Sequence, residues 1–381
     1  MKYKLKELFD LQMGKTPSRN NSEYWNTKDY KWISIADLSQ AEKYISDTKE
    51  YLSDSAVKES GIKVIPANTV IMSFKLSIGK TAITAEDMYS NEAIMAFHDK
   101  HVIELLPEYI YYMFKYKNWD QGSNKAVMGK TLNKATLSNV EIEICPVEKQ
   151  KEIVNVLDKM MSILSDRENE AELLDELIKS RFVEMFGDPV ANPKGLIKKT
   201  LPELGEFGRG VSKHRPRNDE ALLGGPYPLI QTGDVANSGL YITEYHSTYS
   251  ELGLQQSKMW NEGTLCITIA ANIAKTAILG FNACFPDSIV GFNANEYSNN
   301  VFVHYWFSFF QEILEAQAPE SAQKNINLKI LSELKVIVPE IQEQNEFEAF
   351  VHQVDKSKAV IQKSLEETQQ LFDSLMQKFF G

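Results

Sequence analysis

VEKQKEIVNVLDKMMSILSDRENEAELLDELIKSRFVEMFG, Val147 to Gly187, reads as one long helix. Ile153, Leu157, Met160, Leu164, Ala171, Leu174, Ile178 and Met185 recur in steps of three, four or seven, the spacing of a coiled-coil seam. The stretch occurs twice. Adding 194 to each number gives a second seam of Phe347, Val351, Val354, Ile361, Leu365, Phe372, Leu375 and Phe379, and Phe186-Gly187 lands on Phe380-Gly381. Arg167 and Arg181 interrupt the first seam where Ile361 and Leu375 sit in the second, and Lys358 interrupts the second where Leu164 sits in the first.

The parts before the helices repeat as well. Ile78-Gly79-Lys80-Thr81-Ala82-Ile83 aligns with Ile273-Ala274-Lys275-Thr276-Ala277-Ile278, and Ile94-Met95-Ala96-Phe97 with Ile289-Val290-Gly291-Phe292. Leu5, Glu7, Leu8 and Gly14 match Leu201, Glu203, Leu204 and Gly210. A period this long is no solenoid unit; it is a duplicated globe followed by a rod. The expected domains are 1–146 and 188–339, each followed by a helix, 147–187 and 340–381.

Net charge is −11 over 381 residues, but its distribution decides more. Residues 1–146 carry 19 basic and 19 acidic side chains, and 188–339 carry 12 and 15. The rods carry 6 against 10 and 4 against 8, so they supply −8 of the total. Near-neutral globes are free to present a locally basic groove, whereas acidic rods keep off phosphate. Cys145, Cys266 and Cys284 have no paired spacing, which predicts a reducing compartment without a disulfide framework. No apolar run approaches the ~20 residues of a membrane span, and Met1–Asp10 lacks a signal-peptide core.

Local patterns predict a strand or turn over Leu5–Leu11 and a strand at Trp32–Ile35 ending at Asp37, answered by Tyr227–Ile230. They also predict a helix over Pro107–Lys117, answered by Val301–Phe310, and a strand over Val140–Ile144. A 40-residue helix is about 60 Å long, and a globe of this size spans roughly 40 Å. The second globe hangs on the far end of the first rod by a short linker, so the second rod has to run back antiparallel for the seams to meet. Two similar readers held apart in pseudo-twofold fashion suit a long ligand with two sites, such as duplex DNA, whose helical turn is about 34–36 Å.

Gly14-Lys15-Thr16-Pro17 with Tyr24-Trp25, Trp32-Ile33-Ser34-Ile35-Ala36-Asp37-Leu38, Cys145-Pro146 to Gln150, Phe186-Gly187-Asp188-Pro189 and Gly224-Gly225-Pro226-Tyr227-Pro228-Leu229 stand in this order. Over essentially the whole chain the pattern resembles the specificity (S) subunit of type I restriction–modification systems. The usual Pro-Pro before each rod is Cys145-Pro146 in one half and Pro339-Glu340 in the other. The resemblance implies an α+β fold: two similar mixed α/β target recognition domains joined by two long antiparallel helices that form a coiled coil. It implies a non-catalytic cytoplasmic subunit that reads a bipartite, asymmetric double-stranded DNA target with a fixed spacer. It would position two methyltransferase (M) subunits for adenine N6 methylation of a flipped base, with restriction (R) subunits able to join. S-adenosylmethionine would belong to the methyltransferase, and ATP and Mg2+ to a restriction partner; this chain would hold no cofactor and no metal.

Base edges are read by Arg, Lys, Asn and Gln on loops, and phosphates by Lys and Arg. The expected DNA-binding residues of the first globe are Lys15, Arg19, Asn20, Lys75, Lys80, Lys130 and Lys134. In the second they are Arg209, Lys213, Arg215, Arg217, Asn218, Lys275, Lys324 and Asn325, with Arg209–Arg217 the most basic stretch. Lys80 and Lys275 occupy equivalent repeat positions, which a structural need of the shared strand would also explain. Exposed rod flanks, Glu148, Lys149, Gln150 and their counterparts Gln342, Glu343 and Gln344, are candidate methyltransferase contacts.

Catalytic signatures are missing. Gly-Lys-Thr occurs at 14–16, 79–81 and 129–131, but a P-loop needs an earlier Gly where Phe9, Phe74 and Asn124 stand. There is no G-x-G-x-x-G, and Asn192-Pro193-Lys194-Gly195 lacks the aromatic of an adenine-methylation motif. His98 and His101 have no third ligand at metal spacing. The competing readings are an autonomous DNA-processing enzyme with duplicated domains and a coiled-coil scaffold binding protein or sugar.

Overall fold

In the computed structural model every residue is described except 26, 76, 120–131, 215, 218, 271–272, 318–325 and 327, and except the side chains of 312 and 315–317. Two compact units emerge, residues 1–168 with 363–381, and residues 169–362. Each therefore contains one globular repeat and a part of both long helices.

Apolar alternation builds the sheets of the first unit. Strands Phe9–Met13, Ile94–Asp99, Val70–Ser73, Thr81–Thr84 and Tyr44–Ile45 form a five-stranded sheet in that order. All pairs are antiparallel except the last, Tyr44–Ile45 with Thr81–Thr84. Val70–Ser73 and Thr81–Thr84 are buried at every residue, as central strands covered on both faces must be. A smaller sheet orders Glu50–Leu52, Tyr30–Ile33 and Tyr89–Ser90. Lys2–Lys4 closes the globe by pairing antiparallel with Glu141–Glu143. Helix Pro107–Tyr116 starts on its proline and buries Tyr109 through Phe114 without a break, so it lies inside the core rather than on it.

The second unit repeats this plan. Its five-stranded sheet runs Gly205–Arg209, Ile289–Ala294, Leu265–Thr268, Thr276–Leu279, Tyr241–Ile242, again with a parallel last pair. Lys198–Thr200 pairs with Lys335–Ile337. The small sheet gains a strand, Met259–Trp260, beside Ala283–Cys284, Leu223–Leu229 and Ser247–Tyr249. The counterpart of the buried helix is Asn300–Gln317.

Both rods are single helices, Val147–Phe186 and Ile341–Phe380. Within the second unit they run antiparallel. Lys358 Nζ meets Asp175 at 2.6 Å, and Phe182 and Phe186 pack on Phe347 with ring centroids 5.4 and 5.7 Å apart. Rising numbers on one helix thus face falling numbers on the other. Within the first unit Leu157, Met160 and Leu164 share a core with Phe372 and Met376. The lysine that broke the second seam is therefore an ion-pair partner, and Arg181 lies 5.7 Å over the Phe350 ring.

Several local expectations change. Leu5–Leu8 is a turn of helix, and only Phe9–Met13 is a strand. The Glu7 carboxylate accepts Lys4 N–H at 2.7 Å, and Glu203 accepts Thr200 N–H at 2.7 Å, so in both repeats a glutamate three residues on satisfies the backbone N–H that opens this turn. The Trp32 strand stops at Ile33 because Ser34 and Asp37 cap a helix, Ile35–Gln40. Phe182 and Met376, which the three-four spacing omits, are buried because the helix ends carry a second apolar face against the globes.

Gln150 and Gln344, proposed above as exposed contacts, are fully buried. Gln150 accepts Leu106 N–H at 3.0 Å and donates to the carbonyls of Glu104 and Cys145 at 3.1 and 3.0 Å. Gln344 accepts Asn299 N–H and the Ser298 hydroxyl, and donates to the Tyr297 and Pro339 carbonyls at 3.0 and 2.9 Å. A helix start buried against a loop needs its backbone groups satisfied. The same glutamine does this in both repeats.

Candidate nucleic-acid interface

Gly14 and Gly210 begin the loops that carry the predicted contacts. A Cβ on Gly14 would lie 2.3 Å or less from the Ser90 and Asn91 carbonyls, and one on Gly210 would meet those of Phe285 and Pro286 at 2.3 and 2.4 Å. Only glycine lets these loops cross the neighbouring strand end so closely. Gly14 N–H donates to Ile94 O at 3.1 Å and Gly210 N–H to Ile289 O at 2.9 Å, so both loops leave their sheets from the same place.

In the first unit the loop is tied down at once. Lys15 N–H donates to Ser90 O at 2.8 Å, its carbonyl accepts the Trp32 indole N–H at 3.0 Å, and its ammonium reaches Ser60 O. Arg19 grips Glu50 with both ends of its guanidinium. The same group lies 3.8 Å over the Trp25 ring, and Trp25 meets Trp32 edge-on at 5.0 Å. The Glu50 hydrogen bond raises the Arg19 pKa against the opposing effect of burial. A guanidinium over an indole keeps its N–H groups as a fork for carboxylate, phosphate or guanine. Its partner Glu50 is half-exposed, so the pair itself adds only ~0–1 kcal/mol and is exchangeable.

Glu92 gathers the other cations. Burial works against its carboxylate, but the Thr16 hydroxyl, its own amide and the charges of Lys75 and Arg19 together lower its pKa. Arg19 and Lys75 thus belong to one neighbourhood. Lys15 precedes Thr16 but turns its ammonium to Ser60 O. Lys134 is exposed at the start of helix Lys134–Ser138, two residues after Leu132, whose N–H donates to Phe74 O at 3.1 Å. Asn20 is exposed in the turn after Arg19. Lys80 holds the tip of the hairpin: its N–H donates to the Ser73 hydroxyl at 3.1 Å and its carbonyl accepts Ser73 N–H. Lys130 lies outside the described residues.

The second unit places Arg209 exposed at the end of its strand, opposite Val290. Lys213 and His214 backbone N–H groups both donate to Gln256 Oε1, at 2.7 and 3.0 Å, which pins the basic loop. Arg217 forms an ion pair with Asp287, the repeat counterpart of Glu92. His214 meets Asp219 at 3.0 Å; the Ala221 amide and then His214 lower the Asp219 pKa. Lys275 repeats Lys80: its N–H donates to the Thr268 hydroxyl at 3.1 Å, and half its surface is covered. Ile326 N–H donates to Ile269 O at 3.0 Å, repeating the Leu132 bond. Arg215, Asn218, Lys324 and Asn325 lie outside the described residues.

Lys258 went unnoticed in the sequence. Its ammonium stands 3.7 Å over the Trp260 ring, whose far edge lies 3.7 Å from a Cβ built on Gly208, next to Arg209. The spacing Lys258-x-Trp260 was the available signal. Among the described residues no group of three or more His, Cys, Asp or Glu could hold a metal. His98 meets Gln12 at 3.2 Å and His101 meets Asp99 at 3.3 Å. The three cysteines are free, Cys266 and Cys284 buried and Cys145 half-buried. No helix among the described residues is long and apolar enough to cross a membrane.

Duplicated mixed α/β globes, each with a basic loop at the same sheet corner and each followed by a 40-residue helix, define a tandem globe-and-rod protein. Residues 1–174 and 193–370 both match the type I restriction modification DNA specificity domain, and the chain belongs to that family. It is 26% identical to the type I restriction enzyme MjaIX specificity subunit of Methanocaldococcus jannaschii over 72% of this chain and 67% of that one. It is 23% identical to the EcoprrI specificity subunit of Escherichia coli, over 92% of this chain and 86% of that one. Its fold resembles the crystal structure of the type I restriction–modification S subunit from M. genitalium, with a TM-score of 0.58 at 16% identity, covering 100% of this chain and 96% of that one.

Proposed function

We propose that this chain reads a bipartite, asymmetric DNA sequence through globes 1–146 and 188–339, with the long helices fixing the spacer between half-sites. The observation that carries this reading is the pairing of a repeated five-stranded sheet and corner with non-identical loops. The same hairpin, cap and glycine corner recur, yet one corner presents Lys15, Arg19 and Lys75 and the other Arg209, Lys213 and Arg217. Two such corners would read two different half-sites by direct contact, with phosphates setting position.

The subunit itself performs no chemistry in this reading. It acts in the cytoplasm as the reader for two methyltransferase subunits, which bind S-adenosylmethionine and methylate adenine N6 in each half-site, and for restriction subunits that use ATP and Mg2+. Leu173 and Leu177, one helical turn apart on the first long helix, are 61% and 46% exposed. Side chains of this kind on a solvated helix mark a docking stripe, and we assign it to a methyltransferase. Leu173→Glu with Leu177→Glu is expected to release the methyltransferase from co-purification while the chain keeps its melting temperature. Retention of the methyltransferase would remove the stripe from the interface.

Sequencing N6-methyladenine in a genome expressing this chain with its methyltransferase tests the reading as a whole. A two-part asymmetric motif with a constant gap is expected, and a continuous motif would overturn it. Adding one heptad to both rods is expected to lengthen the accepted gap by about three base pairs, since seven residues rise about 10.5 Å and one base pair about 3.4 Å. An unchanged gap would show that something other than the rods sets it.

A further inference from the structure

The two repeats open their core helices with different residues, Pro107 in the first and Asn300 in the second. The positions correspond, because Gln150 accepts the N–H of the residue just before one and Gln344 that of the residue just before the other. In the second unit the Asn300 amide is a bridge. Its oxygen accepts Ala294 N–H at 3.1 Å, and its nitrogen donates to Gly263 O at 2.6 Å. The register gives the counterparts of those two groups in the first unit. Ala294 pairs with Gly205 and Asp99 with Phe9, each partner the first residue of its repeat's edge strand. Gly263 N–H donates to Leu279 O and Asn68 N–H to Thr84 O, both at 2.8 Å, and both residues are left-handed, at φ +86° and +59°. Asp99 N–H and the Asn68 carbonyl thus stand where the other repeat holds a carboxamide. Proline has no amide to offer, and among the described residues of the first unit no other side chain makes the two bonds.

What opens instead is a cavity of about 340 Å³, bordered by Asn68, Asp99 and Pro107. The volume is at the low end of the ~300–1,000 Å³ range of small-molecule clefts. Phe9, Val70, Phe97 and Ile110 wall it with apolar surface. Among the described residues no lysine or arginine lines it, and Asp99 is its one carboxylate. Burial lowers the His98 pKa against the pull of Asp10, so that ring is neutral near pH 7. His101, left-handed at φ +55°, is held at the rim by its N–H, which donates to Asp99 Oδ1 at 2.7 Å. Left-handed residues other than glycine concentrate at ligand sites, and Asn68 and His101 both border this cavity. It is separate from the DNA corner: Phe9 and Asp99 are the ends of strands whose opposite ends, Met13 and Ile94, meet Gly14.

We infer that this cavity binds a neutral, planar aromatic ligand that carries a hydrogen-bond acceptor beside an N–H, the edge shared by an aromatic carboxamide and the adenine ring. The ligand's acceptor takes the Asp99 N–H and its N–H reaches the Asn68 carbonyl, as the Asn300 amide serves Ala294 and Gly263. The ring lies among Phe9, Phe97 and Ile110. An anion would meet Asp99 with no lining cation to offset it.

Calorimetric titration of the full chain tests this with nicotinamide and adenine as probes. Their isosteres 3-acetylpyridine and purine keep the rings but lack the amide or amino nitrogen. Saturable binding of at least one probe below about a millimolar is expected, with its isostere at least about tenfold weaker because the Asn68 carbonyl goes unanswered. Nicotinate should not bind. The tighter probe identifies the source, carboxamide or nucleobase. Pro107→Asn is expected to abolish binding by supplying the bridging amide from within, while the melting temperature holds or rises. Leu105→Trp, at the half-buried edge of the cavity, should abolish binding by bulk, with circular dichroism reporting the fold of each variant. No saturation by either probe, isosteres that bind equally well, or binding that survives in a folded variant overturns the inference.

Discussion

Gln344→Leu is expected to destabilise the second unit by about 3–5 kcal/mol. The side chain holds four groups at once, two donors from Ser298 and Asn299 and two carbonyls from Tyr297 and Pro339. Leucine fits the space but answers none of them, and each stranded buried group costs about 1–3 kcal/mol. Partial relaxation reduces the sum. For a unit of this size that corresponds to a fall of roughly 10 °C in its melting transition, at about 2–4 °C per kcal/mol. Gln344→Glu should be about as damaging, because a carboxylate cannot donate to two carbonyls and a buried charge would go unpaired. Gln150→Leu should act likewise on the first unit. Scanning calorimetry of the full chain is the measurement, and a loss below 1 kcal/mol for Gln344→Leu would show that the clamp is ornamental.

Arg215→Ala with Arg217→Ala is expected to weaken binding of the complex to its target by about 10–100-fold and to lower the salt slope by about 1.8, at 0.9 per phosphate contact. The loss should fall on one half-site only. A target altered in the other half-site should show the same penalty in the variant as in the parent. Arg217 is held by Asp287, so Asp287→Asn provides a contrast: it frees the guanidinium and should leave affinity equal or higher. Equal loss of discrimination at both half-sites would contradict a separate reader in each globe.

How much of this was legible depended on range. The duplicated seams and the helix at Pro107 are written in short-range periodicity, and each falls where the pattern puts it. The basic loops were also visible as composition. Their partners were not, because Glu50 and Asp287 lie 31 and 70 residues from the arginines they hold. Gln150 and Gln344 were misjudged because an amide in a charged helix start reads as solvated. The usable clue was that the same residue type recurs at the same repeat position, four residues after Pro146 and five after Pro339. Phe182 and Met376 escaped the seam because it describes helix against helix alone, whereas Phe182 packs on Phe302 and Phe309 of the globe as well as on Phe347, and Met376 shares the core of the first globe.

The division of the chain into 1–168 with 363–381, and 169–362, also has a consequence for synthesis on the ribosome. The second unit is one continuous stretch and can close as soon as it emerges. The first is the earliest made yet the last completed, since Leu157, Met160 and Leu164 await Phe372 and Met376. Until the last turns of the second long helix leave the exit tunnel, the first-made globe carries an uncovered oily flank. Nascent-chain chaperones, which recognise such surface, have the whole translation of the second repeat in which to find it.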